Sequence, residues 1–328
     1  MMMGLLWRIN TSLLLALFLS GCDIFPVNSG VLEGRVWCDV RYLDLVPKHQ
    51  EYHASISNID NDSDYASFRK RLRLSKAGYM YVVAATLPLQ NNDVNIRYHF
   101  DRPERLREIY DLRRYSVNGF EAMTFILYDE NNIPIKTVIS FGGSNQIRDY
   151  LLHNFWILPV QYDDARNYVQ EVSRHPDTLE LPIVAVGISL GGGLAVHVKK
   201  QDVTGLVEEA WAFNSSPRAG ANGSQNSDIH LLANKREILN LFPRTRLGAL
   251  PQNTDTNFDL INSSSIYAHY RWVLARQILH YADLAIYFDA ENPEALTEPM
   301  KILQSQKISG DICSENLRDQ ISRERAKT

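Results

Sequence analysis

From residue 120 onward, apolar runs of strand length alternate with polar stretches that carry helical spacing. Phe120–Tyr128 (FEAMTFILY) and Ile135–Phe141 (IKTVISF) predict two strands. The turn cluster Asp129–Asn132 between them predicts an antiparallel hairpin. Gly142-Gly143-Ser144 ends the second strand, and Ile147–Ile157 predicts a helix. Asp163–His175 predicts another, with Pro176 as its stop. Leu181–Ile188 (LPIVAVGI) is apolar without alternation, the pattern of a strand covered on both faces in a parallel sheet. A helix over Leu190–Lys200 follows, then strands over Val207–Phe213 and Ile229–Ala233. Pro251–Ser265 is polar and predicts a long loop, and His269–Leu284 predicts one long amphipathic helix. Upstream, the apolar run between Ser75 and Gln90 (YMYVVAATLPL) fits a buried helix or a strand, and Arg102–Arg114 predicts a charged surface helix. Strands alternating with helices from Pro134 predict an α/β class with a mostly parallel sheet, helical crossovers and a hairpin before its central strand. No composition shift divides residues 31–328, so a single domain is expected there.

The first residues follow a different pattern. Residues 1–21 carry one charge, Arg8, and an apolar run from Leu13 to Leu19. The run is too short to span a bilayer, which takes about 20 apolar residues, and matches the apolar segment of an export signal. Leu19-Ser20-Gly21-Cys22 directly after it resembles a bacterial lipobox. That resemblance implies cleavage before Cys22, lipidation of Cys22, and a short tether over residues 22–30. Asp23 resembles an inner-membrane retention signal, which favours the periplasmic face of the inner membrane and leaves the outer membrane open. In an exported chain, Cys38 and Cys313 could pair or remain as two separate thiols.

Composition narrows the chemistry further. The chain is 45% hydrophobic with a formal net charge of −4, and its basic residues are scattered in short clusters. This supports a packed core and argues against a nucleic-acid surface. Three cysteines without a C-x-x-C pair give no zinc signature, and the absence of G-x-G-x-x-G and P-loop sequences leaves nucleotide cofactors without support. No cofactor and no metal are expected.

The most specific chemical signal is Gly187-Ile188-Ser189-Leu190-Gly191, a G-x-S-x-G sequence between a predicted buried strand and a predicted helix. In that setting the serine stands on a sharp turn with its hydroxyl free to react. The N–H of the following residue, Leu190, would then face the developing oxyanion at a helix N-terminus. A helix-capping serine in a glycine-rich turn is the structural alternative.

A family resemblance begins at this motif. GISLGGGLAVH is similar to the nucleophile segment of the class 3, or fungal-type, triacylglycerol lipases and their bacterial relatives. VISFGGSN at Val138–Asn145 resembles their F-R-G-T strand end, with Gly142 where the family has arginine. Asp149-Tyr150 resembles their Asp-Trp pair, and AFNSSPRAG at Ala212–Gly220 their F-G-x-P-R-V-G strand end. The resemblance spans about Phe120–Tyr281 and implies an α/β-hydrolase-type fold, acyl-ester hydrolysis, and Ser144 as a second oxyanion contributor.

A serine nucleophile needs a base, and the base needs an orienting acid. In hydrolases of this type the chain order is Ser, acid, His. Of the histidines after Ser189, His197 points away along the following helix, and His230 sits within a predicted strand. His269, at the end of the polar loop, is the first choice, with His280 its rival. Glu237, just after strand Ile229–Ala233, is the first choice of acid, and Asp228, Asp255 and Asp259 remain open. Arg218–Ser227 and Pro251–Ser265 are candidate access loops. The expected function is a membrane-anchored serine hydrolase acting on lipid or other carboxylic esters. An esterase or thioesterase for soluble acyl substrates, and a non-catalytic envelope lipoprotein on the same scaffold, are the alternatives.

Overall fold

The computed structural model describes residues 62–91, 100–117, 119–143, 158–215, 227–241, 249–260, 265–289 and 297–305. The expected export signal, the 22–30 tether, all three cysteines, Ser144, the 147–157 helix and nearly all of the 218–227 loop lie outside them.

The fold is mixed α/β around an eight-stranded, mostly parallel sheet. Its strands are β1 (Leu106–Glu108), β2 (Arg114–Tyr115), β3 (Glu121–Tyr128), β4 (Pro134–Phe141), β5 (Ile183–Ile188), β6 (Val207–Phe213), β7 (Ile229–Asn234) and β8 (Asn253–Phe258). The order is β1-β3-β4-β5-β6-β7-β8, with β2 also paired to β3. β4 through β8 run parallel, while β1, β2 and β4 are antiparallel to β3. The β3–β4 hairpin is fixed by its turn. Asp129 Oδ1 accepts from the N–H groups of Asn131 and Ile133, at 2.9 and 2.7 Å. Asn132 takes the left-handed conformation (φ 63°) that asparagine tolerates.

Strand alternation divides the core into two layers. Val184, Val186 and Ile188 of β5 join one apolar cluster, and Ile183 and Ala185 join the other. The second layer holds α2 (Leu158–Val172) and α3 (Leu190–Gln201), which connect β4 to β5 and β5 to β6. Those connections step through the sheet in one direction, and right-handed crossovers then place both helices on the same face. The opposite face needs cover from elsewhere in the chain. It comes from α1 (Asp62–Asn91) and α5 (Arg271–Asp289), which pack against each other, α1 also lying across β3 to β6.

α1 resolves the ambiguous run near residue 80. Tyr79–Ala85 is buried at every position because the helix is covered by the sheet below and α5 beside it. A helix buried all round has no amphipathic period, so its sequence cannot be told from a buried strand. Pro88 lies near its end. Proline has no N–H, so the helix cannot donate from residue 88 to the carbonyl of Ala84. Ser140 of β4 supplies the missing donor, its hydroxyl lying 2.8 Å from the Ala84 oxygen in the buried interface.

Four expectations need correction. Arg102–Arg114 is not a surface helix; it forms β1, a single 3-10 turn over Tyr110–Leu112, and β2. Glu108 is the reason, since its largely buried carboxylate is held between Arg102 and Arg113 while β1 pairs with β3. Pro251–Ser265 is not a continuous loop, because Asn253–Phe258 pairs as edge strand β8. Polar side chains are tolerated there because an edge strand is only half covered. The helix expected from His269 is two helices, α4 (Ser265–His269) and α5, separated by Tyr270. α2 stops at Val172, three residues before His175, whose ring instead caps a 3-10 turn by accepting from the Asp177 N–H at 3.2 Å. The last helix among the described residues, α6 (Glu298–Gln304), is capped by the Thr297 side chain.

The Ser140–Ala84 hydrogen bond makes a prediction. Ser140→Ala should cost about 1–3 kcal/mol, because it leaves a buried carbonyl without a donor. The cost should shrink in a Pro88→Ala background, where the helix regains its own N–H. A double-mutant cycle of urea midpoints measures the coupling.

Candidate active site

Ser189 occupies the turn between β5 and α3 with φ 57° and ψ −118°, a conformation sparsely populated by residues with a Cβ. The turn is held from both sides. The Ser189 N–H donates to Phe213 O at the end of β6 (2.9 Å), and its carbonyl accepts from the Gly193 N–H (3.3 Å). Two glycines make the close approach possible. A Cβ on Gly187 would lie 2.2 Å from the Gly191 carbonyl carbon, and one on Gly191 would lie 2.1 Å from Phe141 O. The start of α3 therefore sits directly against the C-terminal ends of β4 and β5. Leu190 is the first residue of α3, so its N–H is among those a helix start leaves without an intrahelical acceptor. The Gly142 N–H is already committed to Glu121 O at 2.8 Å.

His269 ends α4 with 8% of its surface exposed, beside Ser189 with 7%. Its Nε2 is 3.1 Å from Ser189 Oγ, and its Nδ1 is 2.6 Å from Glu237 Oε2. Glu237 follows β7 and precedes a 3-10 turn over Ile238–Leu241, with 1% of its surface exposed. The same oxygen accepts the Leu239 N–H at 3.0 Å. A carboxylate acceptor at Nδ1 fixes the tautomer: Nδ1–H donates to Glu237, and Nε2 keeps the lone pair that accepts the Ser189 hydroxyl proton. The structure thus brings Ser189, His269 and Glu237 into one hydrogen-bonded chain at the C-terminal edge of the sheet.

The other candidates are engaged elsewhere. Asp228, before β7, faces Lys199 at 3.6 Å and accepts from the Ser227 hydroxyl at 3.0 Å. Asp255 pairs with Arg71 at 3.1 Å, and Asp259 lies 3.5 Å from Lys235 and 3.8 Å from Arg236. His280 is buried within α5. His197 contacts Arg166 at 2.7 Å and packs on the Tyr162 ring, and burial lowers its pKa. His230 stacks on Trp211 with ring centres 3.8 Å apart and reaches Glu209 at 3.3 Å. Among the described residues, no group of three or more His, Cys, Asp or Glu side chains is arranged to hold a metal ion.

The sequence assigns no role to three further side chains at this edge, although Asn214 falls within the Ala212–Gly220 segment. Asn214 ends β6 in a left-handed conformation (φ 42°), Asn234 ends β7, and Gln277 lies on α5. The amides of Asn214 and Asn234 meet the backbone carbonyls of Ala268 and His269, and that of Gln277 meets Asn234 Oδ1. They are spread over more than sixty positions with no fixed spacing, so only the fold reveals them. No family model matches the chain, and no curated protein matches its sequence.

The His230 cluster makes a pH prediction. The hydrogen bond from His230 is the largest cause holding the Glu209 carboxyl at about 2, below its ordinary 4.5, helped by the Trp211 N–H and Lys136. A depressed folded pKa contributes stability that is complete above the unfolded value and is lost as pH falls toward the folded one. Glu209→Gln should therefore flatten the fall in urea midpoint between about pH 5 and about pH 3.

Proposed function

We propose that the protein is a serine hydrolase of the α/β-hydrolase type that cleaves carboxylic esters, lipid esters foremost. The Ser189–His269–Glu237 chain carries this reading. A serine on a strained strand-to-helix turn, a singly oriented imidazole and a buried carboxylate are what nucleophilic acyl transfer requires. The resemblance of Gly187–Gly191 and its neighbouring segments to class 3 lipases supports the substrate class, and the lipobox-like Leu19–Cys22 supports anchoring at a membrane of the cell envelope.

In this mechanism the Ser189 oxygen attacks the ester carbonyl while its proton passes to His269 Nε2. The imidazolium is met by Glu237, which stays ionised. The Leu190 N–H at the start of α3 donates to the tetrahedral oxyanion, with Ser144 as the second contributor. His269 then returns the proton to the leaving alcohol. Water, deprotonated by the same nitrogen, releases the acid from Ser189. The chemistry calls on no cofactor.

Labelling with a fluorophosphonate tests the reading. Wild type should label at one site, and Ser189→Ala should not label. His269→Ala and Glu237→Gln should slow labelling by about 10⁴-fold, and Asp255→Asn and Asp259→Asn should leave it unchanged. A folded wild type that fails to label with detergent present would overturn the reading. Hydrolysis rates across esters of increasing acyl length, and across phospholipid vesicles, decide between lipid and soluble acyl substrates.

A further inference from the structure

His269 does not sit on a long helix. α4 has five residues and ends at His269, and α5 begins at Arg271. Carbonyls at such an end lose their intrahelical donors, and buried ones must find others. Those of Ala268 and His269 find them in side-chain amides. Asn214 Nδ2 lies 3.3 Å from both oxygens, and Asn234 Nδ2 also donates to Ala268 O.

Each amide is oriented by a backbone group. Asn214 Oδ1 accepts the Asn234 N–H at 2.9 Å, which turns its NH₂ toward the two carbonyls. Gln277 Oε1 accepts the Leu260 N–H at 2.7 Å, which turns its NH₂ toward Asn234 Oδ1. Asn234 also belongs to the turn that carries the acid: its carbonyl, with that of Lys235, accepts from Asn240 Nδ2, both at 2.8 Å. The network therefore ties the backbone of His269 to the ends of β6 and β7 and to the Glu237 turn.

We propose that Asn214, Asn234 and Gln277 are positioning residues that hold His269 within reach of both Ser189 and Glu237. The proposal rests on the hydrolase reading for its kinetic consequence. All three side chains are buried, and buried amides cost desolvation that apolar side chains would not. Asn214 and Asn234 offset that cost at the carbonyls of Ala268 and His269, and Gln277 offsets it by orienting Asn234. A misplacement of about 1 Å in a catalytic group lowers rate by about 100-fold.

Asn214→Gly is the discriminating variant, because glycine accepts the left-handed backbone and removes only the amide. Two readouts apply to the full chain: the fluorophosphonate labelling rate at saturating probe, and the downfield proton resonance of His269 Nδ1–H, assigned by its loss in His269→Ala. The expected result is a folded variant that labels about 10- to 100-fold more slowly. Its half-saturating probe concentration should be unchanged, and its downfield resonance shifted or lost. Wild-type labelling rate with an unchanged resonance would overturn the proposal and reduce Asn214 to a turn residue. If wild type itself does not label, the hydrolase reading fails. The resonance still decides the positioning: its shift in Asn214→Gly supports it, and its persistence overturns it. Should Asn214→Gly not fold, Gln277→Leu carries the same two readouts.

Discussion

A carboxylate with 1% of its surface exposed must have its charge met inside the protein, and at Glu237 both His269 and the Leu239 N–H contribute to this. That contact fixes much of the rest. It chooses the imidazole tautomer, and the tautomer decides that Ser189 finds a lone pair at Nε2. His269 reaches this contact from a helix end, which the break at Tyr270 between two helices provides. The break leaves buried carbonyls, and Asn214 and Asn234 answer them from the ends of two neighbouring strands. Three adjacent parallel strands thus end in the Ser189 turn, the Asn214 amide and the Glu237 turn.

The sheet that carries this arrangement is covered by helices on both faces. Stepping β4, β5 and β6 in one direction puts their connecting helices on one face. α1 and α5 close the other. The Ser140–Ala84 contact shows how closely helix and strand are fitted: a proline removes a helix donor, and a strand hydroxyl replaces it. At the other face, Gly191 lets α3 approach Phe141 to a distance that no Cβ allows. The Ser189 turn is thereby pressed against the same strand that carries Ser140.

The sequence was most legible where one physical demand acted alone. β5 reads as a strand because it is apolar on both faces, and Ser189 stands out because G-x-S-x-G falls between that strand and a helix. His269 and Glu237 followed from chain order and from their places after predicted elements. Legibility failed where a side chain's role depends on a distant partner. The arginines and Glu108 near residue 108 look like a solvated helix until β3 and the buried carboxylate are known. β8 looks like a loop because Asn and Asp disfavour strands, and Arg71, 184 residues earlier, explains a buried Asp255. The amides at 214, 234 and 277 share no spacing, so no pattern search could assemble them.

On the proposed function, Ser189 becomes acylated during turnover. Acid-quenching the protein in the first turnovers of an activated ester, followed by peptide mass mapping, reads this directly. The account predicts one acyl group per chain, on the peptide that contains Ser189. Ester turnover with the acyl group on another residue, or with none on Ser189, would contradict it.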